Sequence, residues 1–244
     1  MECSLQKRAI CEGLGTLLLV AAVVGSGIMA ERLSGGNVAI ALLANTIATG
    51  AALVALILTF GQISGAHLNP AVTIGAAIRN LIPWTEVPLY LISQFVGGLA
   101  GTLLAHVMFT VPVFSISHHQ RAGLSQLISE FVAAFGLLCV IWGCLRISSA
   151  VAIPIAVASY ITAAYWFTAS TSFANPAVTL ARSFTDSFAG IRPVDVPGFM
   201  LAQTAGALSA TALFAWLVPG EKADGISEMA FDSKRSSNPP MHWP

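Results

Sequence analysis

Six long runs of apolar positions, separated by short polar breaks, dominate the chain at 9–30, 38–60, 88–110, 124–145, 149–169 and 197–218. Crossing the hydrocarbon core of a bilayer takes about 20 mainly apolar residues, so each run predicts a transmembrane helix. Six crossings place both termini on one side. The first run carries Glu12, exceeds the length of a signal-peptide core and lacks a convincing cleavage site before the second run, so it is expected to stay in the mature protein. Two further apolar segments are too short to cross: "GAHLNPAVTIGAAIRN" after the second run and "TSFANPAVTLARSFTD" after the fifth.

Both short segments open a helix at Asn-Pro. Asn is a strong N-cap and Pro is favoured at the first helical position, so Asn69 and Asn175 predict helix starts preceded by irregular backbone. A helix of roughly ten residues is only about 15 Å long, half the hydrocarbon core. Each segment therefore predicts a re-entrant half-helix. Irregular backbone at membrane depth is tolerated only inside protein or along a wet cavity.

The two halves also correspond elsewhere. Glu12 in the first run pairs with Glu130 in the fourth, and Gln94 in "QFVGGLAG" pairs with Gln203 in "QTAGALSA". A unit of two runs, a re-entrant segment and a third run is thus written twice, over about 9–110 and 124–218. Because each unit crosses three times, the second must be inverted relative to the first, and the two half-helices must enter from opposite faces. The predicted fold is an all-α inverted-repeat bundle of six transmembrane helices and two half-helices, forming one domain over 1–220.

Composition agrees with this reading and narrows the function. A hydrophobic share of 56% against 9% charged residues, with a mean hydropathy of +0.79, is that of a membrane protein. The formal net charge of zero offers no basic face to a nucleic acid, so such a partner is not expected. Cys3, Cys11, Cys139 and Cys144 form neither a C-x-x-C pair nor a zinc-like spacing and are expected as reduced apolar fillers. No cofactor or metal is implied. Lys and Arg favour the side of the termini by seven to four, which predicts cytoplasmic termini. The polar, Ser- and Pro-rich stretch 221–244 predicts a disordered cytoplasmic tail.

Two half-helix N-termini facing one midplane point, each equivalent to roughly half a positive charge, make that point hostile to cations. Each capping Asn spends its carbonyl oxygen on free helix N–H groups and leaves its NH2 group to donate into the cavity. Carbonyls of the irregular backbone flank these donors. Such a path suits small neutral molecules that both donate and accept hydrogen bonds. No nucleotide motif supplies an energy source, so passive flow is the expected mechanism.

These features resemble the aquaporin family (major intrinsic proteins) along the whole membrane-spanning length. "SGAHLNPAVTIG" at 64–75 is the most similar stretch, and the Asn-Pro-Ala triplet recurs at Asn175, Pro176 and Ala177. One triplet is a common cap, whereas two in corresponding loops of an inverted repeat are specific. The resemblance implies the right-handed aquaporin-like bundle and a homotetramer in the cell (plasma or inner) membrane. It further implies that Asn69, Pro70 and Ala71 meet Asn175, Pro176 and Ala177 at the pore centre. Carbonyls of Gly65, Ala66 and His67 would line one half of the pore, and those around Ser172, Phe173 and Ala174 the other. Glu12 and Glu130 would anchor the re-entrant loops, with Gln94 and Gln203 in similar interhelical roles.

The sequence departs from strict water channels, which carry Arg directly after the second triplet. Val178 stands there, and Arg182 lies one turn, about 6 Å, further out, where it either lines the outer vestibule or meets solvent at the mouth. By the same carry-over the second-span filter position is Thr49, usually Phe, and the loop position is Ser172. The fifth-span position, usually His, is Ala163 when counted back from Asn175 and Tyr165 when anchored on Pro154 with a shortened loop. A Thr/Val filter is wider and less polar, and with "TSFANPAVTLARSFTDSFAGI" it resembles bacterial aquaporins of arsenic-resistance operons, which pass neutral arsenite. Water plus glycerol-like or metalloid solutes are therefore the expected cargo. A water-selective pore is the alternative. A secondary transporter with broken helices is a further one, distinguished by saturable, uncoupler-sensitive flux. No nucleophile, base and orienting group converge, so no enzyme is expected.

Among the remaining polar residues, His118 and His119 are expected as solvated loop residues and His106 as a core residue. The Gly97 and Gly101 spacing predicts close helix packing.

Overall fold

A computed structural model describes residues 3–147 and 149–218; the expected tail lies outside the described residues. The described chain is helical: α1 (Leu5–Leu33), α2 (Val38–Ser64), α3 (Pro70–Ile78), α4 (Val87–Phe109), α5 (Leu124–Cys144), α6 (Ala152–Phe167), α7 (Pro176–Arg182) and α8 (Val196–Leu217), with a single 3-10 turn at Pro193–Asp195 before α8. The first run extends at both ends, because Lys7, Arg8, Glu31 and Arg32 continue the helix past its apolar centre.

Among the described residues five helices are long and apolar enough to cross a membrane, and the fifth expected span, 149–169, yields a shorter helix than its sequence suggested. Its helix α6 has 16 residues, about 24 Å of rise against a core of about 30 Å. The rest of the apolar run lies outside the helix at both ends: 149–151 precede it, and Thr168 and Ala169 belong to the irregular segment that leads to Asn175.

The two units repeat one packing scheme. α1 packs on α2 and α4, α5 packs on α6 and α8, and α2 meets α6 across the centre. Small residues set the closest crossings. A Cβ at Gly97 would strike the Gly13 backbone, one at Gly101 the Leu17 carbonyl oxygen, and one at Gly206 the Phe131 carbonyl oxygen. Gly206 stands three residues after Gln203, as Gly97 stands three after Gln94, so the α1–α4 and α5–α8 crossings are built alike. Without a hydrophobic drive between helices in lipid, such backbone contact supplies the dispersion that holds them together.

The short helices fill the centre. α3 packs on α4 and α8, and α7 packs on α4 and α8. Gly65, at φ +88° beyond the end of α2, lets the chain leave α2 in a left-handed turn and re-enter toward Asn69.

Candidate functional site

The backbone before each Asn-Pro follows one irregular pattern. Gly65, Ala66 and Leu68 have positive φ before Asn69, and Thr171, Ser172 and Ala174 have positive φ before Asn175. These are the same offsets in both units. Six such residues, five of them not glycine, are costly unless the surroundings over-determine them.

Two buried carboxylates supply that constraint. Glu12 accepts from the His67 N–H (2.9 Å), the Leu68 N–H (2.7 Å), the Ser64 hydroxyl (2.7 Å) and Gln94 Nε2 (2.8 Å). Glu130 accepts from the Phe173 N–H (2.9 Å), the Ala174 N–H (2.9 Å) and Gln203 Nε2 (2.5 Å). Gln94 and Gln203 each donate a second bond, to Thr73 Oγ1 (2.9 Å) and Thr179 Oγ1 (2.8 Å). Those hydroxyls in turn donate to the Asn69 and Asn175 carbonyls, at 3.1 and 2.8 Å. Each helix start is therefore wired through Thr and Gln to one buried carboxylate. The anchoring geometry expected of Glu12, Glu130, Gln94 and Gln203 is present, and Thr73 and Thr179 join it.

The two Asn residues cap and cross-link at once. Asn69 Oδ1 accepts from the Ala71 N–H (2.9 Å), and Asn175 Oδ1 accepts from the N–H groups of Ala177 (3.0 Å) and Val178 (3.2 Å). Each amide then reaches the opposite loop: Asn69 Nδ2 donates to the Ala174 carbonyl (2.8 Å), and Asn175 Nδ2 to the Leu68 carbonyl (2.7 Å). The expectation that the whole NH2 group faces the cavity is corrected, since one of its two hydrogens staples the half-helices together. The Ala174 carbonyl, expected to line the pore, is likewise partly engaged.

A cavity of about 330 Å³ runs past this junction. One wall is apolar, with Val23, Leu53, Leu137, Val157 and Ile161. The other is the polar strip of Gly65, Ala66, His67, Leu68 and Asn69, and of Ser172, Phe173, Ala174 and Asn175. Val72 and Ala76 of α3 and Val178 and Arg182 of α7 also line it. These are the third and seventh residues after each Asn, so both half-helices present one face.

Thr49 and Tyr165 line the cavity, and their hydroxyls lie 3.2 Å apart. Ala163 is exposed on the outside of α6 and does not reach it; Tyr165, two residues on, turns inward, so the Ala163 alternative is corrected. The Ser172 hydroxyl is buried and has no hydrogen-bond partner among the described residues. Arg182 is 2% exposed, donates through Nε to the Ala189 carbonyl and stacks over Phe173 with 3.4 Å between its guanidinium carbon and the ring centroid. Of the two placements open for Arg182, the structure takes the cavity-lining one.

One cation had no signal in the sequence. Arg121, in the α4–α5 loop, donates through Nε to the Gly190 carbonyl (2.8 Å) and through its terminal nitrogens to the carbonyls of Ser170 (3.1 Å) and Phe188 (3.4 Å). It too lies over Phe173, at 4.9 Å. His106 is a core residue, bonded to the Val113 carbonyl and Thr185 Oγ1. His118 is exposed, but its N–H and ring tie to Asp186 of the facing loop.

Comparison with known proteins gives the same direction. The family model described as "Major intrinsic protein" matches residues 1–148. The aquaglyceroporin AqpS of Rhizobium meliloti (strain 1021) is 54% identical over 217 residues, which cover 89% of this chain and 92% of that protein. The glycerol uptake facilitator protein of Streptococcus pneumoniae (strain ATCC BAA-255 / R6) is 32% identical over 150 residues, 54% of this chain and 61% of that one. The X-ray structure of the aquaglyceroporin from Plasmodium falciparum superposes with a TM-score of 0.68 at 22% identity, covering 92% of this chain and 99% of that chain. This last likeness shows the fold.

Proposed function

Because the chain belongs to the major intrinsic protein family, a family of membrane channels and not enzymes, we propose that it passes neutral polyhydroxy solutes, glycerol and arsenous acid, beside water. The observation that carries this reading is the filter level. Thr49, Tyr165, Ser172 and Val178 share one cavity, and Val178, the first residue after the second triplet, brings no charge and little bulk. An apolar wall facing a strip of donors and acceptors matches a solute with a carbon or arsenic body and several hydroxyls. Arsenous acid is uncharged at neutral pH and presents the same hydroxyl pattern as glycerol. The remaining N–H of Asn69 and Asn175 supplies the central donors. The names of two relatives, an aquaglyceroporin and a glycerol uptake facilitator, support this solute class.

One observation favours a narrower pore. The close approach of the Thr49 and Tyr165 hydroxyls offsets part of the width gained at Val178. Proteoliposomes carrying wild type and Val178→Arg decide between the two readings. The variant is expected to lose glycerol and arsenite entry to a greater extent than water entry; equal losses for all three solutes would remove Val178 from the filter. We further propose that the protein is a homotetramer with one pore per subunit, set in the plasma or inner membrane with its termini in the cytoplasm. Light scattering of the purified protein and reactivity of Cys3 toward an impermeant thiol reagent from either side test these two points.

A further inference from the structure

We propose that size selection and charge exclusion are separated in this pore, with Arg182, backed by Arg121 across the Phe173 ring, forming a cation barrier one helical turn outside the Thr49–Val178 level. The inference rests on the channel reading. On α7, Val178 and Arg182 stand on one face, and both line the cavity. The corresponding residues of α3, Val72 and Ala76, line it too, so the face is fixed by the repeat and the charge is an addition peculiar to the second unit.

The partners of both guanidinium groups are carbonyl oxygens, with the Thr171 hydroxyl at 3.5 Å from Arg121. No carboxylate bonds either side chain among the described residues. Carbonyl partners orient a guanidinium without neutralising it; the buried Glu130 carboxylate attracts both cations and offsets part of their field, leaving Arg182 as the charge on the cavity wall. Among the described residues Arg182 hydrogen-bonds through Nε alone, and the residue lines the cavity. Phe173 holds the pair in register: both guanidinium carbons lie over its ring, and Phe199 packs edge-on against that ring with centroids 5.3 Å apart. Glu130, which fixes the Phe173 N–H, thereby also positions the barrier. A neutral solute meets donors at this level, whereas a hydrated cation meets the Arg182 charge on the wall of a confined space, with Arg121 behind it.

The test is ion leak in proteoliposomes, read with an internal pH dye under a potassium diffusion potential, with glycerol entry recorded on the same vesicles. Arg182→Met is expected to raise proton leak by at least about tenfold, while Arg182→Lys, which keeps the charge, stays near wild type. Arg182→Gln keeps a planar donor and loses only the charge; it carries the same expectation as Arg182→Met, so a folding defect seen by gel filtration in one leaves the other decisive. Adding Arg121→Met to either neutral variant is expected to raise the leak further. Neutral variants as tight as wild type, or a lysine variant as leaky as methionine, overturn the assignment to Arg182, and a double variant no leakier than the single overturns that of Arg121. Wild-type glycerol entry no faster than in empty vesicles would instead refute the channel reading.

Discussion

Glu130→Gln removes one acceptor oxygen from a point where three donors converge, and the consequence follows from the geometry. Glu130 Oε1 takes the Phe173 N–H, and Oε2 takes both the Ala174 N–H and Gln203 Nε2. A glutamine does least harm by keeping its oxygen at the second site and turning its NH2 toward the Phe173 amide. One buried N–H is then left facing another donor, and two charge-assisted bonds become neutral ones. Hydrogen bonds to charged groups contribute about 1.5–3 kcal/mol against about 1 for neutral pairs, and a buried donor without acceptor costs about 1–3 kcal/mol. The sum is about 3–5 kcal/mol. At about 2–4 °C per kcal/mol for a chain of this size, the apparent unfolding midpoint in detergent should fall by about 6–20 °C. Because this carboxylate holds the Phe173 and Ala174 N–H groups in a stretch of positive-φ residues, glycerol flux at room temperature should fall as well. Thr59→Ala, an exposed hydroxyl on α2 bonded to its own helix, is the control and should move the midpoint little. A Glu130→Gln midpoint within about 2 °C of wild type, with unchanged flux, would falsify the view that this carboxylate holds the loop.

Gly206→Ala should destabilise the protein by more than an ordinary surface change, because its Cβ would meet the Phe131 carbonyl oxygen at the α5–α8 crossing; a thermal melt that matches wild type would show that the crossing relaxes freely. Tyr165→Phe removes the hydroxyl facing Thr49, and the glycerol-to-water permeability ratio should rise by up to about tenfold, the scale of one net hydrogen bond; a lower ratio would remove Tyr165 from the filter. The His118 N–H and imidazole hold the Asp186 carboxyl below its ordinary value. A folded-state pKa lowered in this way contributes stability that is complete above the ordinary carboxylate value near pH 4 and is lost as pH falls through the folded value. The midpoint difference between wild type and Asp186→Asn should therefore be present at pH 6 and shrink below about pH 4; a gap that widens with acid would contradict it. The pair is solvent-exposed, so the difference should be small.

The architecture was legible because lipid leaves the backbone few choices. Apolar length marked the spans, and Asn-Pro marked helix starts in segments too short to cross, so α3 and α7 followed from a cap and a proline. The fifth apolar run overstates α6 because 149–151 and 168–169 lie outside the helix, and hydropathy does not distinguish a helix from the non-helical backbone that flanks it. The Glu and Gln pairs were legible as a repeat, and the repeated Thr of "NPAVT" carried the same signal for Thr73 and Thr179 without being read. Spacing left Ala163 and Tyr165 open, and the two-residue offset between them turns the side chain by about 200° on a helix. Arg121 was not legible at all: it lies some fifty residues from the loop it braces, and nothing local distinguishes it from a solvated loop cation.

The central claim is that this pore admits neutral solutes larger than water. Stopped-flow light scattering of wild-type proteoliposomes under water, glycerol and arsenous acid gradients tests it most directly. Entry of glycerol and arsenous acid well above that of protein-free vesicles, linear in the gradient, is the predicted result. Faster water flow with both solutes at the protein-free rate would contradict it.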